Sequence, residues 1–124
     1  MTDIIYAYTR KQAVEDGEQV DISATAAEAG IRFPVFLTRR VFDAYVTVPP
    51  KVRLQAEAGR LWDIVTMLRF AIKRFGSGGD RITYQLYVRN DNRRARLVSL
   101  VATCGPLDMD NEQPAITIMM PGED

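Results

Sequence analysis

Four arginines crowd into the eight residues Arg89-Asn90-Asp91-Asn92-Arg93-Arg94-Ala95-Arg96, the densest basic cluster in the chain. A guanidinium is permanently charged and offers a planar fork of donors to carboxylate or phosphate. The chemistry open to such a cluster is anion recognition, either of a nucleic-acid backbone or of an acidic protein surface. Asn90-Asp91-Asn92 reads as a tight turn, because Asn and Asp tolerate left-handed backbone angles. The arginines would then project from a hairpin tip at one end of a sheet. Arg81, Thr83, Gln85 and Tyr87 alternate along the preceding segment and extend that surface. A two-stranded ribbon with this chemistry suits the DNA major groove. The same charges also serve simply to solvate a sheet edge and protect it from aggregation.

A second candidate is Gly59-Arg60-Leu61-Trp62-Asp63. Arg60 and Asp63 are spaced to pair on a helix. Trp62 stands beside the apolar stripe of that helix, as a core-edge residue or as an anchor for a partner, since Trp and Arg dominate binding hot spots. The partner-binding set expected from the sequence is therefore Arg60, Trp62, Arg81, Tyr87, Arg89, Arg93, Arg94 and Arg96.

Catalysis has little to work with. The chain has no histidine and one cysteine, Cys104. This excludes histidine-based triads and dyads, imidazole zinc sites and cysteine-rich clusters. Cys104 is expected to be a buried, inert thiol. The acid–base groups left are carboxylates. Asp108, Asp110 and Glu112 alternate in one segment, and Glu123 and Asp124 end the sequence. Alternating oxygen ligands can hold calcium or magnesium, but the glycine and late glutamate of an EF-hand loop are missing, so a solvated acidic loop is expected. Gly76-Ser77-Gly78-Gly79 lacks the Lys-Ser/Thr ending of a phosphate loop and follows a helix, where a phosphate loop follows a strand. No catalytic residue, metal or cofactor is assigned.

Charge is polarised along the chain although it sums to zero. Residues 32–96 hold 14 Arg or Lys against 5 Asp or Glu, residues 1–31 hold 2 against 6, and residues 97–124 hold none against 5. Such a distribution steers charged partners even without net charge. Arginine outnumbers lysine 13 to 3, which a high-GC genome or a selected anion-binding surface would each produce. A length of 124 residues suggests one domain, large enough to fold without disulfide or metal. Asp3 interrupts the N-terminus, no apolar run approaches a membrane span, and a soluble cytoplasmic protein is expected.

The elements that must position these residues follow from pattern. Asp3–Tyr8 reads as an opening strand or extended segment. Thr9-Arg10-Lys11-Gln12 is a capping box for a helix to about Asp16, stopped by Gly17. Val20–Ile22 is extended, and Ser23 or Thr25 caps a second helix ended by Gly30. Pro34 makes 31–37 an edge strand or linker. Thr38 caps a third helix with Val41, Phe42 and Tyr45 inward, and 47–57 reads as a loop. A long helix covers about 60–75. Its inner stripe is Leu61, Ile64, Val65, Leu68, Ile72 and Phe75, with Arg60, Asp63, Thr66, Arg69, Lys73 and Arg74 largely outside it. Gly76–Asp80 is a connector. Arg81–Arg89 alternates as a strand with Ile82, Tyr84, Leu86 and Val88 inward, 94–104 returns, 105–113 is an acidic loop, and 115–120 is the last strand. The fold class is α+β: an antiparallel C-terminal sheet, a long amphipathic helix on one face, and short N-terminal helices.

Ile5-Tyr6-Ala7-Tyr8-Thr9-Arg10, Gly30-Ile31-Arg32-Phe33-Pro34-Val35, Gly59–Asp63 and Pro114–Asp124 together resemble landmarks of a family of short uncharacterised bacterial proteins, a domain of unknown function carried on plasmids, phages and integrated elements. The resemblance spans nearly the whole chain. It implies no catalytic residue, and it implies the setting of a mobile-element accessory protein. Such proteins often bind host machinery, including restriction and CRISPR defence complexes. The function expected is non-enzymatic binding to a macromolecular partner, a host protein or protein complex first and nucleic acid second, with inhibition of a host-defence complex of the CRISPR or restriction type as the outcome, no membrane, and the oligomeric state left open. The alternatives are a nucleic-acid-binding accessory protein using the 81–96 hairpin, and a carboxylate- or metal-dependent enzyme.

Overall fold

The computed structural model describes residues 8–76 and 79–124, so all but Tyr8 of the segment 3–8 expected to open the chain as a strand, and the middle of the Gly76–Asp80 connector, lie outside the described residues. Three strands follow the long helix and form most of the sheet: β3 (Arg81–Val88), β4 (Arg96–Asp108) and β5 (Asn111–Met119). Two short strands from the first third, β1 (Gln19–Asp21) and β2 (Val35–Thr38), complete five strands in the order β1-β2-β5-β4-β3. All neighbours are antiparallel except β2 and β5, which run parallel. The class is α+β.

Two expectations about the sheet are corrected. Pro34 does not push the next strand to an edge, because it stands one residue before β2. Its carbonyl accepts from Ile116 N at 2.9 Å, and its missing donor is not needed. β2 is therefore an inner strand. The segment 105–113 is not an acidic loop either. β4 continues to Asp108 and turns back into β5, with Gly105 opposite Ala115 and Pro106 opposite Pro114. Those prolines fall where the antiparallel ladder exchanges no hydrogen bonds, so neither lacks a donor that the pair requires.

The helices follow their caps. In α1 (Arg10–Glu15) the Thr9 hydroxyl accepts from Gln12 N at 3.0 Å and Thr9 N donates to Gln12 Oε1 at 2.9 Å, completing the expected box. Gly17, at φ +81°, lets the chain leave the helix. In α2 (Ser23–Glu28) neither Ser23 nor Thr25 caps: Ile22 occupies that position, and the Ser23 hydroxyl instead accepts from Val35 N at 3.0 Å. Thr38 caps α3 (Arg39–Val41) as expected, and the helix then widens into a π turn, Phe42–Val46, where Thr47 N donates to Phe42 O at 2.9 Å.

The long helix α4 (Glu57–Phe75) begins a turn earlier than its apolar stripe suggests. Ile64, Val65, Leu68 and Ala71 are buried, and they meet Tyr84, Leu86, Val88 and Leu100 from the sheet. Tyr84 is sealed under the helix, where its hydroxyl donates to Ile64 O at 3.2 Å and burial raises its pKa. Phe75, expected inside, is exposed.

Candidate functional site

β4 runs between two ends of unlike charge. At its start, the 89–95 loop leads in from β3 and packs against residues 51–55. These two segments and Arg96 carry six cations, Lys51, Arg53, Arg89, Arg93, Arg94 and Arg96, and one carboxylate, Asp91.

Arg60 holds this end together. It was expected largely outside the apolar stripe, paired with Asp63. Instead it is 5% exposed, because Arg60, Ile64 and Leu68 recur every four residues on the inward face. Its five N–H groups all find oxygens and none of them is a carboxylate. Nε donates to Gln55 Oε1 at 3.2 Å, and Nη1 to Tyr45 O at 3.3 Å and Thr47 O at 2.9 Å. Nη2 donates to Asn90 Oδ1 at 2.6 Å and to Arg89 O. One guanidinium thus ties the end of the π turn, the 51–55 segment and the 89–95 loop to α4. Burial lowers its pKa and the neighbouring Arg89 charge adds to the effect, though an arginine remains a cation at neutral pH.

The loop is further fastened by its own polar residues. Asn90 Nδ2 donates to Ala44 O at 3.0 Å, Asn92 Nδ2 to Lys51 O at 2.7 Å, and Arg53 N to Asn92 Oδ1 at 2.9 Å. Asp91 Oδ1 accepts from Arg93 N at 2.8 Å and Arg94 N at 3.1 Å, and these two amides, helped by the Arg96 and Arg93 charges, hold its pKa below the usual carboxylate value.

The expected binding residues therefore separate. Arg89 folds back onto Asp91 O at 2.8 Å and onto Arg53 O, so the tip does not project four guanidinium groups. Arg93 and Arg94 are exposed, and Arg96 reaches only a distant, exposed contact of 3.7 Å with Asp91. Arg81 lies at the other end of β3 and pairs with Asp124. Tyr87 is 67% exposed beside Leu97. Trp62 is exposed too, but Asp63, not Trp62, lines the cleft that holds Tyr87.

Sequence reasoning missed Leu54. It is 97% exposed and adopts φ +63°, a left-handed angle that costs a residue with a branched side chain roughly 1–2 kcal/mol. A lone leucine between Arg53 and Gln55 in a polar loop was the available signal.

The acidic candidates are occupied by structural roles. Asp108 closes the N-terminus of α1, accepting from Lys11 N at 3.0 Å, Arg10 N at 3.1 Å and Met109 N at 2.9 Å. Met109 N, then Lys11 N, lowers its pKa most, with Arg10 adding to them. Glu123 accepts from Thr38 Oγ1 at 2.8 Å and Met120 N at 2.6 Å. Asp110 and Glu112 are exposed, and among the described residues no three acidic or thiol side chains gather as a metal site requires. Cys104 is exposed, contrary to expectation, and faces an apolar cavity of about 140 Å³ beside Phe33 and Ile72.

A family model covers residues 1–124 in full. The chain belongs to the DUF6573 family of unknown function. No curated protein and no solved structure matches it. Membership of DUF6573 agrees with the resemblance to a domain of unknown function and adds no activity to it. No helix among the described residues is long and apolar enough to cross a membrane.

Proposed function

We propose that this chain is a non-enzymatic binding protein whose basic end docks onto an acidic, apolar-pocketed surface of a protein partner. The observation that carries this reading is Leu54. A leucine held almost wholly in water, at a strained backbone angle and next to Arg53, contributes nothing to the core. Strain of this kind clusters at binding surfaces, and an apolar anchor ringed by cations matches the anatomy of a protein interface: a desolvated centre and a charged rim. Lys51, Arg53, Arg93, Arg94 and Arg96 supply that rim, and the Arg60 network holds it in place before any partner arrives. Pre-organisation reduces the ordering cost of binding. Phosphate recognition would need the arginines and would gain nothing from the leucine, so protein ranks above nucleic acid. The setting implied by the family resemblance, an accessory protein of a mobile element, makes a host-defence complex the first partner class to try.

Two variants read out the difference. Leu54→Asn keeps the left-handed backbone, which Asn tolerates, and removes the anchor. Arg93→Ala with Arg94→Ala removes charge alone. Nuclease-treated host lysate should yield a partner that the wild type retains and both variants lose, while the thermal midpoint of Leu54→Asn is unchanged or raised. Retention that survives Leu54→Asn but vanishes with nuclease or with the arginine pair points to nucleic acid and sinks the protein reading.

A further inference from the structure

We propose that β3 is a homodimer interface, joining the sheets of two copies edge to edge in antiparallel register with their α4 helices side by side. β3 is the last strand of the sheet and, among the described residues, has a neighbour on one side only. Cys104 N donates to Asp80 O at 2.8 Å, so the even positions of β3 turn their main-chain groups toward β4. Arg81, Thr83, Gln85 and Tyr87 therefore point theirs at the open edge. The strand is eight residues long with no proline or glycine, and its pairing to β4 is regular. Its one charged side chain, Arg81, sits at the end and is engaged by Asp124. The usual protections of a free edge, mid-strand charge, proline or a bulge, are missing.

What flanks the edge selects the occupant. Asp63, Met67, Phe70 and Arg74 lie one above another along the side of α4 that lines the clefts against β3. Phe70 is 58% exposed and Met67 is also open to solvent. Neither Asp63 nor Arg74 has an ionic partner among the described residues. The order along the stripe is acid, apolar, apolar, base, which is the order that matches itself when reversed. A two-fold axis through the middle of β3 reverses it. Met67 stands level with Gln85, so the stripe's centre falls near Tyr84. With the axis there, Thr83 faces Gln85 of the second copy and Arg81 faces its Tyr87. About eight main-chain hydrogen bonds form across the junction. In the same arrangement each Asp63 meets Arg74 of the other copy over a seam of Met67 and Phe70. An isologous contact requires this self-complementarity.

Sedimentation equilibrium of the full chain over about 1–100 μM is the test, with a dimer of the 14.0 kDa chain expected. Gln85→Pro removes an outward N–H that the monomer does not use, and should leave a folded monomer. Asp63→Arg alone and Arg74→Asp alone should each weaken dimerisation about tenfold or more. The double variant Asp63→Arg/Arg74→Asp should restore it, as should mixing the two single variants. Because these charges are exposed, the reversals remain readable should Gln85→Pro fail to fold. A monomeric wild type, dimers that persist through Gln85→Pro or through both single reversals, or reversals that the double variant does not rescue would each overturn the proposal.

Discussion

Each end of β4 is closed by an arginine, and the two arginines differ in burial and in the charges around them. At the start of the strand Arg60 is buried among backbone carbonyls and amide oxygens, with no carboxylate on it. Toward the far end Arg10 is half-buried. It donates to Leu107 O at 2.6 Å and to Gln19 Oε1 and Thr117 Oγ1 at 2.9 Å, and stacks 4.3 Å above the Phe36 ring. Burial lowers the pKa of Arg10, and the Asp108 and Asp21 charges counter the shift. Both guanidiniums donate only to neutral oxygens, but carboxylates, Asp108 first and then Asp21, act on Arg10 at longer range and offset part of its charge, whereas the charge that acts on Arg60 is another arginine, Arg89. The first end therefore keeps a positive potential available to a partner, and the second serves mainly to fasten α1 to the β4–β5 hairpin.

The core between the two ends gives the largest expected effect. Leu68 is fully buried at the centre of α4. Leu68→Ala should cost about 2–5 kcal/mol in a urea melt and weaken both ends together. A loss under half a kcal/mol would mean that this helix face is not core.

Removing the arginines themselves separates the ends. Arg60→Ala leaves five part-buried oxygens short of a donor and should cost about 2–4 kcal/mol. Arg10→Ala leaves three part-buried oxygens without a donor and should cost about 1–2 kcal/mol. Equal costs, or the reverse order, would show that the five bonds of the buried Arg60 do not set it apart from Arg10 with its three. Smaller again is Thr9→Ala, which removes one cap hydrogen bond from α1 and should cost about 1 kcal/mol.

Much of the fold was legible because its signals are local. The alternation of Ile82, Tyr84, Leu86 and Val88 and the Thr9 capping box depend on neighbours in sequence, and both appear as expected. The misreadings share a cause: composition was allowed to outweigh geometry. Pro34 suggested an edge or a linker, yet it stands just before β2, where the ladder needs no donor from it, and the acidic residues of 105–113 suggested a loop where β4 pairs with β5. Arg60 was placed outside because it is charged, although its four-residue spacing to Ile64 and Leu68 put it on the inward face. The parallel pairing of β2 with β5 joins segments about eighty residues apart, and nothing local announces it. Of the site, the basic loop was visible as a cluster. Which of its arginines are free and which are spent on the backbone depends on contacts with residues 51–55, far away in sequence.

Acid should separate carboxylate-held contacts from Arg60-held ones with the least disturbance. Asp108 and Asp91 both have pKa values lowered in the folded chain, chiefly by backbone N–H groups. A depressed carboxyl contributes stability that is complete above its unfolded value of about 4, and the contribution is lost as pH falls through the lower folded value. The amide signals of Lys11 and Met109, and those of Arg93 and Arg94, should therefore shift together below about pH 4. The Arg60 network contains no group that titrates there, since every acceptor is an amide or main-chain oxygen. Its Nε–H resonance should keep its position and its slow exchange while those amides move. An Arg60 signal that moves with the same midpoint would mean that this end also depends on a carboxylate, and the contrast between the two arginines would fail.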